Sequence, residues 1–249
     1  MVELASVILP PERTADMVAA GLWPNRLLCD YLDDAHAATP DAVAIVERRT
    51  ATGADTRVTV RDLHALSVRF ACGLAQLGVA RGDVVAVQLP NWWHYAALHV
   101  ACVRIGAIMN PLMPIFRERE LEFMLGFAAA RVLVVAQEFR GFSYPDMVAT
   151  IRPALPHLEH VLVVGGTDPA LFRDRRPDPN DVTEIMYTSG TTGQPKGVMH
   201  TSNTLLCKAL LAAELFTLTR DDVVFMGSPL AHQTGFMYAV VLSIFNHSK

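Results

Sequence analysis

The chain has 249 residues, 51% of them apolar and 18% charged, with a mean hydropathy of +0.27. That much apolar surface can offset chain entropy, which excludes an intrinsically disordered chain. With 21 basic and 25 acidic side chains the net charge is −4, so no basic excess exists to neutralise a nucleic-acid backbone. The longest uninterrupted apolar run, Phe236–Leu242, falls far short of the ~20 residues that a bilayer span requires. Glu3 and the early Pro10-Pro11 do not fit a secretory signal. Cys29, Cys72, Cys102 and Cys207 show no CxxC pairing, and the expectation is free thiols in a reducing, cytoplasmic setting.

In chain order, Val60, Leu63, Leu66, Phe70, Leu74 and Leu77 recur at helical spacing and predict a helix over 60–77, stopped by Gly78. Val84–Leu89 reads as a buried strand closed by Pro90-Asn91. A helix over Trp92–Ile105 follows, ended by Gly106, then a short strand Ala107–Met109 and a third helix Glu118–Leu125. Arg131–Ala136 and Val161–Val164 read as further strands. Strands alternating with helices of this length predict an α/β fold with a mostly parallel sheet. The Gly- and Pro-bearing stretch Gly165–Asp181, with Arg173, Arg175 and Arg176 beside Asp174 and Asp178, reads as a solvated linker. It divides the chain into a first α/β subdomain over 1–164 and the start of a second over 182–249.

After the linker, Thr183–Tyr187 reads as a strand. Four hydroxyl side chains, two glycines and a lysine then fall within nine residues: Thr188, Ser189, Gly190, Thr191, Thr192, Gly193 and Lys196. Glycines let backbone N–H groups converge on an anion, hydroxyls donate further hydrogen bonds, and the ammonium adds a point charge. This is chemistry for polyphosphate. The spacing is not that of a P-loop, because Pro195 takes the second glycine's place and Gly197 follows the lysine. Nor is it a Rossmann loop, since Val198–His200 reads as a strand and a helix starts only near Ser202 or Asn203, either of them a suitable N-cap. A hairpin-like loop is therefore expected to hold the anion. An isolated Ser/Thr/Gly stretch would be a surface loop, and it is the full ordered run that argues otherwise.

That run, YTSGTTGQPKGV over 187–198, resembles the signature loop of AMP-forming adenylating enzymes: acyl-CoA synthetases, luciferases and peptide-synthetase adenylation domains. Val60–Pro90, Arg104–Ala107 with Asn110–Leu112, and Pro229-Leu230-Ala231-His232-Gln233-Thr234-Gly235 resemble further elements of that superfamily. The segment 110–121 looks most like the branch acting on medium-chain or alicyclic acids such as cyclohexanecarboxylate. The resemblance implies the N-terminal portion of the adenylating large domain, with mostly parallel sheets and flanking helices. It also implies a two-step ligase in which a carboxylate attacks Mg-ATP to give acyl-AMP, and coenzyme A then takes the acyl group. On this likeness Thr188 through Gly193 and Lys196 cradle the phosphates, and Thr188 is a candidate Mg²⁺ ligand. His232 meets the carboxylate and α-phosphate, so the candidate catalytic residues are His232 and Lys196. Thr234 and Tyr238 line the acyl pocket. Without the motif, one histidine between apolar stretches would read as a buried structural residue. His94, His99, His157 and His160 lack partners for a metal site and are expected at the surface or at helix caps.

Members of the superfamily are about twice this length, so the resemblance also implies a C-terminally truncated chain. It would lack the family's metal-binding glutamate, ribose aspartate and adenylation lysine. Three readings follow: the N-terminal half of an acid–thiol ligase, inactive alone; a non-catalytic truncated paralogue binding nucleotide, acyl ligand or a protein partner; or an unrelated phosphate-loop ATPase, which the failed P-loop spacing disfavours. Truncation is further expected to expose an apolar face over Phe236–Phe245 that invites self-association.

Overall fold

The computed structural model describes residues 10–49, 53–164, 178–188 and 195–249. Helices α1 (Pro11–Ala19) and α2 (Leu28–Ala38) precede an antiparallel hairpin of β1 (Val43–Arg49) and β2 (Ala54–Thr59). Helix α3 (Val60–Gln76) follows at once. Its N-cap Thr59 accepts the Asp62 N–H at 3.1 Å, and Asp62 bonds back to the Thr59 N–H. This reciprocal capping satisfies two otherwise orphaned donors.

The core is built by β3 (Val84–Gln88), α4 (Trp93–Ile105), β4 (Ile108–Pro111), α5 (Glu118–Phe127) and β5 (Val132–Ala136). A small hairpin of β6 (Glu138–Phe139) and β7 (Phe142–Ser143), then α6 (Tyr144–Ile151), leads to β8 (His160–Val164). Strands β9 (Val182–Thr188) and β10 (Lys196–Thr201) and helix α7 (Ser202–Leu215) follow. The chain closes with α8 (Gln233–Gly235), a wide π-type turn over Phe236–Val241 and α9 (Leu242–Asn246), which run on as one rod.

Six strands form the central sheet in the order β10-β9-β4-β3-β5-β8, all parallel except β10, which is antiparallel to β9. Every residue of β3, β4 and β5 is buried, as befits strands covered on both faces. The connection β3-α4-β4 runs one way across the sheet, whereas β4-α5-β5 and β5-α6-β8 run the other. Right-handed crossovers therefore place α4 on one face and α5 and α6 on the opposite one. Helix α4 is buried along nearly its whole length because α3 and α2 cover it.

Two expectations change. The strands on either side of 165–181, of which 165–177 lie outside the described residues, belong to one sheet, because β9 pairs with β4. The N-cap of α7 is Thr201, which accepts the Thr204 N–H at 3.2 Å. Ser202 and Asn203 are instead buried in the first turn, where Asn203 Oδ1 accepts the Asn25 N–H at 3.0 Å and Nδ2 donates to Asn180 at 2.9 Å. Finally, Phe236, Met237, Val240, Val241 and Leu242 are buried, packed with α7 and α2. The exposed apolar face expected over 236–245 is absent among these five residues. Among the described residues, no helix is long and apolar enough to cross a membrane.

Candidate functional site

The predicted phosphate loop springs from a β-hairpin. Thr188 ends β9, Lys196 begins β10, and the two are directly opposite in the antiparallel register. Ser189, Gly190, Thr191, Thr192 and Gly193 lie outside the described residues. Opposed residues of such a ladder carry side chains on one face, with Cβ atoms about 4.5–5.5 Å apart. The Thr188 hydroxyl and the Lys196 ammonium thus leave the same side of the hairpin, and both residues are exposed.

The stem is fixed from its other face. The Tyr187 hydroxyl donates to the Met124 carbonyl of α5 at 2.9 Å, and the Asn110 amide approaches that hydroxyl at 3.5 Å. Burial pushes the Tyr187 phenol up to about 12, so it stays a neutral donor. Opposite Tyr187 stands Gly197. A Cβ there would meet Ile185 Cγ2 at 3.2 Å and Phe127 at 3.5 Å, so glycine lets α5 approach the hairpin closely.

Alternation along β9 puts Glu184, Met186 and Thr188 on one face and Ile185 and Tyr187 on the other. Glu184 is fully buried, and neither carboxylate oxygen has a hydrogen-bond partner among the described residues. Its pKa is held well above the ordinary carboxylate value by desolvation, and it acts electrostatically on Tyr95 of α4. Tyr95 and His99, one turn apart, pack against Phe236 at 6.4 and 4.5 Å between ring centroids. Phe236 follows His232 by four residues. The face that carries Thr188 and Lys196 is therefore the face on which the His232 rod is laid. His99, expected at the surface or at a cap, is fully buried, and burial pulls its pKa down to about 3.

His232 is exposed at the N-terminus of α8, not the buried structural residue that an isolated histidine would suggest. Its Nδ1 accepts the Thr234 N–H at 3.3 Å, which leaves Nε2 of the neutral ring as an N–H donor. Gly235 allows this arrangement, since a Cβ there would lie 2.2 Å from the Pro229 carbonyl oxygen. Pro229 in turn accepts the His232 N–H at 3.0 Å. Thr234 is exposed and Tyr238 half-buried, its ring 6.3 Å from that of Phe216.

Two residues escaped the sequence reading. The Gln233 amide, beside His232, has both polar atoms buried without a partner among the described residues. The Asn91 amide, just past β3, bonds to both Ser228 and Leu230. The turn signal Pro90-Asn91 was visible; its distant partner was not.

Thr188 ends β9 and Asn91 follows β3, so loop stem and His232 element meet the same carboxyl edge of the parallel strands. Two strand spacings, roughly 10 Å, separate β9 from β3 across the sheet. In open α/β sheets ligands bind at this edge. The edge presents a cation, hydroxyls and an imidazole N–H, a donor set for phosphate and carboxylate oxygens. Among the described residues, no group of three or more His, Cys, Asp or Glu could hold a metal ion.

The family described as AMP-binding enzyme matches residues 32–248. The medium-chain fatty-acid–CoA ligase of Escherichia coli (strain K12) is 32% identical over 244 residues, covering 92% of this chain and 42% of that protein. A salicyl-AMP ligase/salicyl-S-ArCP synthetase of Mycobacterium tuberculosis is 33% identical over 229 residues, covering 87% and 40%. The apo structure of MbtA from Mycobacterium smegmatis superimposes on the whole chain and 48% of its own, with a TM-score of 0.87 and 30% identity. The chain thus spans about two fifths of the length of these curated relatives. With 217 consecutive residues matched, the chain belongs to the AMP-binding enzyme family.

Proposed function

We propose that this chain supplies the phosphate loop and acid-facing histidine of an acid–thiol ligase. The enzyme activates an apolar, medium-chain or alicyclic carboxylic acid. The observation that carries the reading is the shared edge and face of Thr188, Lys196 and His232. In the first step a carboxylate oxygen attacks the α-phosphorus of ATP and the bond to pyrophosphate breaks, giving acyl-AMP. Charge builds on the departing pyrophosphate, which the Thr188 hydroxyl and the Lys196 ammonium at the loop's two ends would stabilise. His232 Nε2–H donates to the oxygens of the carboxylate or α-phosphate. Mg²⁺ brought with ATP offsets phosphate charge, and the Thr188 hydroxyl is the group here that would reach it. In the second step the thiol of coenzyme A displaces AMP to form the thioester.

Thr234, Tyr238 and the buried Gln233 amide flank His232 and form the acid-facing wall. An apolar acid fits the apolar rod behind them, each buried CH₂ contributing ~0.8 kcal/mol. The named activity of the E. coli relative supports a medium-chain acid. Residues 1–249 by themselves catalyse neither half-reaction in this reading, because the chain spans 42% of that relative and the resemblance assigns ribose and lysine contacts to the remainder. A screen of acids for acyl-CoA formation tests the substrate class, using a ligase of the relatives' full length that carries residues 1–249. Octanoate and cyclohexanecarboxylate are expected to lead. Preference for amino acids or short hydroxy acids would overturn it.

A further inference from the structure

The residue that fixes His232 lies far from it in sequence. Asn91 sits at the carboxyl edge of the sheet just past β3, and its amide spans to a loop 137–139 residues further on. Nδ2 donates to the Ser228 carbonyl at 2.9 Å, and Oδ1 accepts the Leu230 N–H at 2.9 Å. One side chain thus satisfies a carbonyl and an N–H two residues apart, as a neighbouring strand would. Pro229, between them, accepts the His232 N–H, and His232 in turn accepts the Phe236 N–H, each at 3.0 Å. The same Pro229 carbonyl lies against the α-carbon of Gly235. An unbroken series of contacts therefore runs from the end of β3 to the imidazole.

We propose that Asn91 is a positioning residue for His232, holding the 228–230 loop so that Nε2 faces the reacting carboxylate at the carboxyl edge. The inference rests on the reading of His232 given above. Asn91 is exposed, and exposed hydrogen bonds compete with water, so the clamp contributes little to global stability. Its effect is local. A shift of about 1 Å in a group at the reacting centre can cost on the order of a hundredfold in rate.

The test uses Asn91→Ala, Asn91→Asp and His232→Ala in two settings. In residues 1–249, amide exchange at Leu230 is expected to quicken in Asn91→Ala with little change in melting temperature. Asn91→Asp, which keeps the acceptor and loses the donor, should retain Leu230 protection. In a ligase of the relatives' full length carrying these residues, Asn91→Ala should lower kcat for adenylate formation roughly ten- to hundredfold. The KM for ATP should stay within about twofold, since the phosphate loop is untouched, and Asn91→Asp should fall between. Unchanged kcat in Asn91→Ala beside an inactive His232→Ala would overturn the clamp and leave the role of His232 standing. An active His232→Ala would overturn both. Should Asn91→Ala fail to fold, an Asn91→Asp with wild-type kcat beside an inactive His232→Ala would overturn the clamp.

Discussion

Thr188 and Lys196 stand directly opposite each other as the last pair of the β9–β10 ladder, both exposed and both on the face that carries the His232 rod. A hairpin mouth of this kind holds its two flanking donors at fixed separation whatever the loop beyond them does. Lys196→Ala is therefore expected to slow adenylate formation more than it weakens acid binding, and Thr192→Val, which the family resemblance places on the phosphates, to do the same. Each lost charge-assisted hydrogen bond is worth about 1.5–3 kcal/mol, or roughly ten- to hundredfold in rate. Stopped-flow or exchange kinetics that leave both variants at wild-type rate would refute the assignment of the loop.

Gly235→Ala tests the packing behind His232. Its Cβ would sit 2.2 Å from the Pro229 oxygen and 2.9 Å from the Ser228 oxygen, and both are backbone atoms that cannot swing aside. The cost is expected at about 3 kcal/mol, the upper end of overpacking penalties, read as a lower urea midpoint. At Gly197 the new Cβ would meet the tip of the Ile185 side chain at 3.2 Å, and Gly197→Ala should cost less. Equal midpoints for both variants and the wild type would show that the backbone is not packed as described.

Much of this was legible beforehand. Helices α3, α4 and α5 and strands β3, β5, β8, β9 and β10 follow directly from apolar spacing and Gly or Pro punctuation, within a residue or two at most ends. The β1–β2 hairpin was not, because its exposed side carries charged residues such as Arg48 and Asp55 that blur the apolar alternation. Glu47 within it is buried and accepts the Trp93 N–H that opens α4, a role that no local pattern reveals. The candidate site divides the same way. Its chemistry-bearing residues cluster in two short runs, whereas the residues that hold them, Asn91, Tyr187 and Gly197, act across long sequence separations.

Buried Glu184 predicts one side of the pH–stability profile. Its folded pKa is raised above 4.5 by desolvation, so the folded state keeps the proton while the unfolded chain releases it. Stability is full below 4.5 and declines as pH rises from there towards the folded pKa. Glu184→Gln is expected to gain stability over the wild type as pH rises from 4 to 8. A constant difference across that range would contradict a neutral buried acid.

His99 shapes the acid side. Its pKa is pulled from 6.5 to about 3 by burial, so its contribution is complete above 6.5 and is lost as pH falls towards 3. His99→Leu should flatten the decline in stability between pH 6.5 and 4, measured by urea unfolding at each pH. An unaltered slope would mean that His99 does not carry it.

Acid-dependent exchange of labelled pyrophosphate into ATP is the most direct measurement of all. It should be run on a ligase of the relatives' full length carrying residues 1–249, on its Lys196→Ala variant, and on residues 1–249 alone. The expected result is exchange that requires octanoate or a similar apolar acid, falls roughly ten- to hundredfold in Lys196→Ala, and is absent from residues 1–249. Exchange that ignores the acid, orthophosphate released in its place, or a Lys196→Ala variant at full rate would contradict acid activation at this loop.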